Sequence, residues 1–92
     1  MYEILKLEDK ANKNFKKLSI ILDNLSFNLS KGKTEKALTD GYNYIKEIEE
    51  IIGQLDKINQ EGYSQNNFFM IKADLKQKIE KYEKMRKTYI LN

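Results

Sequence analysis

A chain of 92 residues has room for one hydrophobic core and one small domain, so any function sits on its surface or in a single groove. Hydrophobic residues make up 40% and charged residues 34%, with a net charge of +3, which excludes both a membrane-embedded protein and a chain too polar to collapse. Histidine and cysteine are both absent. That removes the Ser-His-Asp and Cys-His constellations, thiolate metal sites, disulfides and the usual general base of near-neutral pKa, so no catalysis, cofactor or metal is expected.

Proline is also absent and glycine occurs only four times, leaving little to interrupt a helix. From the start of the chain, Ile4, Leu7, Ala11, Phe15, Leu18, Leu22, Leu25 and Leu29 recur at steps of three and four, one apolar face of a helix over about 2–31. Gly32 follows, as Gly62 follows the next segment, in the places where a helix C-terminus favours glycine. Thr34 then reads as an N-cap, with Glu35 suited to the positive end of the helix dipole. The second helix, about 34–61, carries two adjacent apolar rows. Leu38, Ile45, Ile48, Ile52 and Leu55 run beside Ala37, Tyr44, Ile51 and Ile58, a stripe wide enough to touch two neighbours. Gly41 lies on that face, where a missing side chain permits close approach. Ser64 or a neighbouring Asn can cap a third helix, about 65–90, with Phe68, Ile71, Leu75, Ile79, Tyr82, Met85 and Tyr89 in phase. Short connections between helices of similar length predict an all-α, antiparallel up-down-up three-helix bundle spanning 1–92.

Charge is distributed unevenly. Residues 1–31 carry +2, 33–61 carry −3 and 63–92 carry +4, which favours an acidic helix lying between two basic ones. The third segment's Lys72, Lys76, Lys78, Lys81, Lys84, Arg86 and Lys87 invite a nucleic-acid reading. Asp74, Glu80 and Glu83 interrupt the run and only one member is Arg, so a solvated face is expected and nucleic-acid binding is disfavoured. Glu47, Glu49 and Glu50 lack the Glu-x-x-His spacing of bundle metal sites and read as a charged exterior. The Asn24 and Asn28 sequons read as chance, since the start shows no secretory signal and no apolar run approaches the ~20 residues of a bilayer span. A cytosolic location is expected. Partner contacts are expected at Ile20 and Phe27, off the main stripe of the first helix, where the alternative is a wider core contact, at the peripheral Tyr42 and Tyr63, and at the adjacent Phe68 and Phe69, which stand about 100° apart and cannot both face one core.

With these helices placed, several segments resemble the N-terminal three-helix (Habc-like) domain of the Vti-type v-SNAREs, a branch of the Qb-SNAREs. Phe15-Lys16-Lys17-Leu18 with Ile21, Leu25 and Leu29 is similar to the family's F-x-x-L opening helix. Ile45-Lys46-Glu47-Ile48-Glu49-Glu50-Ile51-Ile52-Gly53-Gln54-Leu55-Asp56 resembles its acidic segment, and Lys72, Leu75, Lys76, Ile79 and Tyr82 its basic third helix. Ala11-Asn12 stands where the family more usually has Tyr-Glu. The resemblance implies a regulatory interaction domain in vesicle trafficking and membrane fusion, on the cytoplasmic face of Golgi and endosomal membranes. It implies SNAREs, adaptors or tethers as partners, and a SNARE motif and membrane anchor beyond Asn92. The alternative is a free-standing small helical protein, such as a bacteriocin-immunity or phage protein.

Overall fold

The computed structural model describes residues 2–27, 30–60 and 68–91, and among these it contains three α-helices and no strand. They are α1 (Tyr2–Leu25), α2 (Lys31–Gln60) and α3 (Phe68–Leu91). The expected Leu29, Gly62, Tyr63 and Ser64 features lie outside the described residues. The three rods form a particle 48 Å long and 19 by 15 Å across.

The apolar stripes read from spacing are the ones buried. Ile4, Leu7, Ala11, Phe15, Leu18 and Leu22 of α1 meet Ile45, Ile48, Ile51 and Leu55 of α2 and Phe68, Ile71, Leu75 and Tyr82 of α3 in one cluster. Leu38, Tyr44, Ile52, Ile58 and Ile79 pack half-buried around it, so both rows of α2 are used. The α1–α2 interface is the most extensive of the three and the α1–α3 interface the least. No buried side-chain N or O atom among the described residues lacks a hydrogen-bond partner. Asn14, which the apolar pattern passes over, is buried because its Nδ2 donates to the Lys10 carbonyl at 3.1 Å within its own helix.

Two boundaries differ from the spacing-based expectation, each for a local reason. Helix α1 stops at Leu25 instead of continuing to about 31. Ser26 N–H and Phe27 N–H turn back tightly to the Asp23 and Asn24 carbonyls at 3.0 and 3.1 Å, and the Ser26 hydroxyl donates to the Leu22 carbonyl at 3.2 Å. The Tyr89 hydroxyl from α3 closes the same end, donating to the Leu25 carbonyl and lying 2.8 Å from the Phe27 carbonyl. The last carbonyls of a helix need such donors, and here they come from outside the α-helical ladder. Thr34, in turn, is not the N-cap of α2. The Ser30 carbonyl accepts the first helical bond, from Thr34 N–H at 2.9 Å, and the buried Thr34 hydroxyl donates to that same carbonyl. Gly32 therefore belongs to the first turn of α2.

Acidic α2 packs more extensively against each basic helix than these pack against each other, but the ion pairs are mostly local. Lys13–Asp9, Lys36–Asp40, Lys46–Glu49, Lys78–Asp74 and Arg86–Glu83 each pair within one helix, and Lys81–Asp23 at 3.9 Å joins α3 to α1. None of these links acidic α2 to a basic neighbour. Side chains three or four apart on one helix meet without any tertiary constraint, and that local geometry wins over the net charge of the helices.

Replacing Leu18, fully buried at the centre, with Ala is expected to cost about 2–5 kcal/mol in chemical denaturation. The glycines should separate by surroundings. A Cβ on Gly53 meets nothing within 4 Å, so Gly53→Ala is expected to raise stability by about 0.5–1 kcal/mol. A Cβ on Gly41 would stand 3.1 Å from the Tyr82 ring, so Gly41→Leu is expected to lower stability by about 1–3 kcal/mol.

Candidate functional site

The seam between α2 and α3 is closed at one end and open at the other. At the closed end the Tyr82 ring lies flush on Gly41, with Ile21 of α1 also 3.5 Å from where a Cβ would stand. The Tyr82 hydroxyl donates to the Leu38 carbonyl at 2.7 Å. Burial, with Glu83 adding to it and Arg86 opposing, pushes the Tyr82 phenol above its ordinary pKa. A Cβ at Gly41 would push the ring back by a few tenths of an ångström, so glycine allows the closest approach, and the ring then sets how far apart the two helices stand.

Toward the Phe68 end the helices leave a groove of about 790 Å³. Its walls include Ile52 and Gly53 from α2 and Phe69, Ala73 and Ile79 from α3. Its rims are charged, with Glu49 and Asp56 on α2 facing Lys72 and Lys76 on α3. The spacing Glu49, Gly53, Asp56 on one helix and Phe69, Lys72, Lys76 on the other places each set along a single edge. Lys72 holds its ammonium 5.7 Å from the Phe68 ring centre, and Lys46, one turn from Glu49, lies 5.2 Å from the Tyr42 ring centre. Glu49, and after it Tyr42, raise the pKa of exposed Lys46.

The expected contact residues divide as follows. Of the aromatic pair, Phe68 is 6% exposed and floors the groove while Phe69 is 78% exposed, their rings meeting edge-on with centres 5.1 Å apart. Phase decides between them, because Phe68 continues the Ile71 and Leu75 stripe and Phe69 does not. Tyr42 is exposed on the same α2 edge as Lys46 and Glu49. Ile20 is exposed on α1 beside a second recess of about 670 Å³ shared with Asp74 and Lys78 of α3, away from the α2–α3 groove. Phe27 is 67% exposed but lies in the turn after α1, so its helical spacing from Ile20 does not apply. Tyr63 lies outside the described residues. The structure thus gathers Phe68 and Phe69 in one groove and sets Ile20 and Phe27 apart from it.

Sequence reasoning passed over Ile52, Gly53 and Ala73 as groove-forming, and Leu5 and Met70 as exposed apolar residues. Leu5 and Met70 are each one residue off a core phase, which was the available signal. The groove residues become recognisable only once the two helices are set side by side. Among the described residues no cluster of three or more acidic side chains is arranged to hold a metal ion, and no helix is long and apolar enough to cross a membrane. Comparison of the chain with known protein families, curated proteins and solved structures gives no match.

The phenol gives a pH test of the closed end. Its folded pKa is raised above the unfolded value near 10, so its contribution is complete below about pH 10 and is lost as pH climbs through the folded value. Tyr82→Phe is expected to cost about 1 kcal/mol near neutrality by losing the bond to Leu38. In urea titrations the gap between variant and wild type should narrow above about pH 10. A gap that stays constant with pH would exclude the phenol as its source.

Proposed function

We propose that the chain is a protein-interaction module, the regulatory three-helix domain of a Vti-type SNARE acting in vesicle trafficking and membrane fusion. The observation that carries the binding role is the α2–α3 groove, charged at its rims and more apolar inside than the recesses on the α1–α3 side. A groove of this kind suits an amphipathic helix laid along it, with apolar side chains filling the middle and polar ones meeting the rims. The absence of histidine and cysteine supports a binder over an enzyme.

The SNARE assignment rests on the resemblance of the helix-one, helix-two and helix-three segments to that family. An antiparallel up-down-up course fits it. Tyr82 of α3 beside Leu38 and Gly41 of α2, with Phe68 beside Ile52, supports opposite directions for those two helices. Phe15 beside Ile71 and Asp23 beside Lys81 supports a common direction for α1 and α3. On this reading SNAREs, adaptors or tethers are the partners, the domain works on the cytoplasmic face of Golgi or endosomal membranes, and the anchor is encoded beyond Asn92.

Two measurements test the reading. The coding sequence past Asn92 should contain heptads around a central Gln, followed by about 20 apolar residues. A stop codon directly after Asn92 overturns the SNARE assignment. In cells, a proximity-labelling fusion should mark membrane-traffic proteins, and marking confined to unrelated proteins would argue against the trafficking role.

A further inference from the structure

We infer that the α2–α3 groove is a self-association face, whose occupant is the same groove of a second copy of this chain, related by a two-fold axis running along the helices. The inference rests on reading the groove as a docking surface and names what docks there.

Charge order along the two rims selects this partner. Moving from the Phe68 end toward Tyr82, the α2 edge presents Glu49 and then, one turn on, Lys46. Over the same stretch the α3 edge presents Lys76 and then Glu80. The two edges thus carry opposite signs in the same order. Glu49, Lys76 and Glu80 all border the one groove. A two-fold axis parallel to the helices lays α2 of one copy on α3 of the other at equal height, bringing Glu49 to Lys76 and Lys46 to Glu80 of the second copy. The symmetry makes each pairing twice, as an isologous interface requires. An axis across the helices, centred on Gly53, would instead set Glu49 on Asp56 of the second copy, opposing like charges. Among the described residues Lys76 and Glu80 form no ion pair, and Lys46 and Glu49, paired with each other at 3.4 Å in an exposed contact, exchange that bond for the two across the axis.

Shape agrees with charge. Gly53 presents open space where a side chain would stand, and Ala73 is the small residue opposite it across the groove. Paired across the interface they allow two helices to approach to about 8–10 Å. The four helices α2, α3 and their mates would then form a layer that covers Ile52, Ile79 and the outward Phe69, a large apolar ring otherwise left in water. A face two helices wide and about 20 Å long buries on the order of 1,000 Å² in total, the lower end for a specific interface. A dimer of micromolar Kd is therefore expected, with rim charges supplying orientation more than affinity.

Sedimentation equilibrium of the chain between roughly 5 and 200 µM tests this, since a micromolar dimer dissociates within that range. Wild type should show a monomer–dimer equilibrium. Glu49→Lys and Lys76→Glu should each weaken it about tenfold, and the two together should restore it to within about threefold, because the swapped charges meet again across the axis. Gly53→Trp should abolish dimerisation while keeping the helical circular dichroism and thermal transition of wild type, since its Cβ points into open space. A wild type that stays monomeric across the range overturns self-association. So does a double variant no tighter than the singles, or a Gly53→Trp protein that still dimerises. Those results would leave the trafficking assignment standing, because its tests read the coding sequence and the cellular neighbours and not the oligomeric state.

Discussion

The contact of Tyr82 with the bare backbone at Gly41 sets the geometry from which the other features follow. A ring pressed on a helix at a glycine leaves almost no freedom in the separation of α2 and α3 at that point, and the hydroxyl bond to the Leu38 carbonyl removes the remaining rotation. Among the described residues no second glycine contact of this kind recurs toward Phe68. There Ile52 and Ile79 are only half-buried, and the helices part enough to leave the groove. The binding surface is thus one end of a seam whose other end is locked. Its width is fixed by a contact about two turns from Glu49 along α2 and two residues past Glu80 on α3.

That arrangement explains why a chain this polar keeps a large aromatic in water. Phe69 cannot join the core, because its neighbour Phe68 occupies the position in phase with Ile71 and Leu75. Turning α3 to bury both rings would draw Tyr82 off Gly41. Lys72 partly shelters the pair by lying over Phe68, in the manner of a long side chain covering apolar surface with its stem. The exposed ring is therefore held in place by interactions that stabilise the fold elsewhere.

Most of the bundle was legible in the residues because helical burial repeats every 3.6 positions and nothing in this chain interrupts the repeat. The double row on α2 and the approach at Gly41 both follow from spacing alone. What escaped depended on partners distant in the chain. The end of α1 could not be placed from its own residues, since the apolar phase runs on to Leu29 while one donor that completes the termination is Tyr89, 64 residues beyond Leu25. Thr34 has the chemistry of an N-cap and was assigned as one, but a hydroxyl can equally bond back to the carbonyl four residues before it, and burial selected that use. The net charge of each helix suggested which helix lies between the others, while the ion pairs themselves formed mostly within helices. Of the candidate contacts, the exclusion of one of Phe68 and Phe69 from the core was readable from adjacency. The groove they border was not, because its α2 wall belongs to another segment.

The Tyr89 contact also bears on the order in which the molecule assembles. Helices α1 and α2 share the largest interface and are joined by a short connection, so they can pair as soon as both have left the ribosome. The terminal carbonyls of α1 acquire their donor from α3 only after Tyr89 has been made. The first helix therefore waits for the third to be made before it is finished at its own C-terminus. A nascent chain halted short of residue 89 would hold a formed hairpin with a frayed corner, and quality-control factors that recognise exposed backbone would find it there.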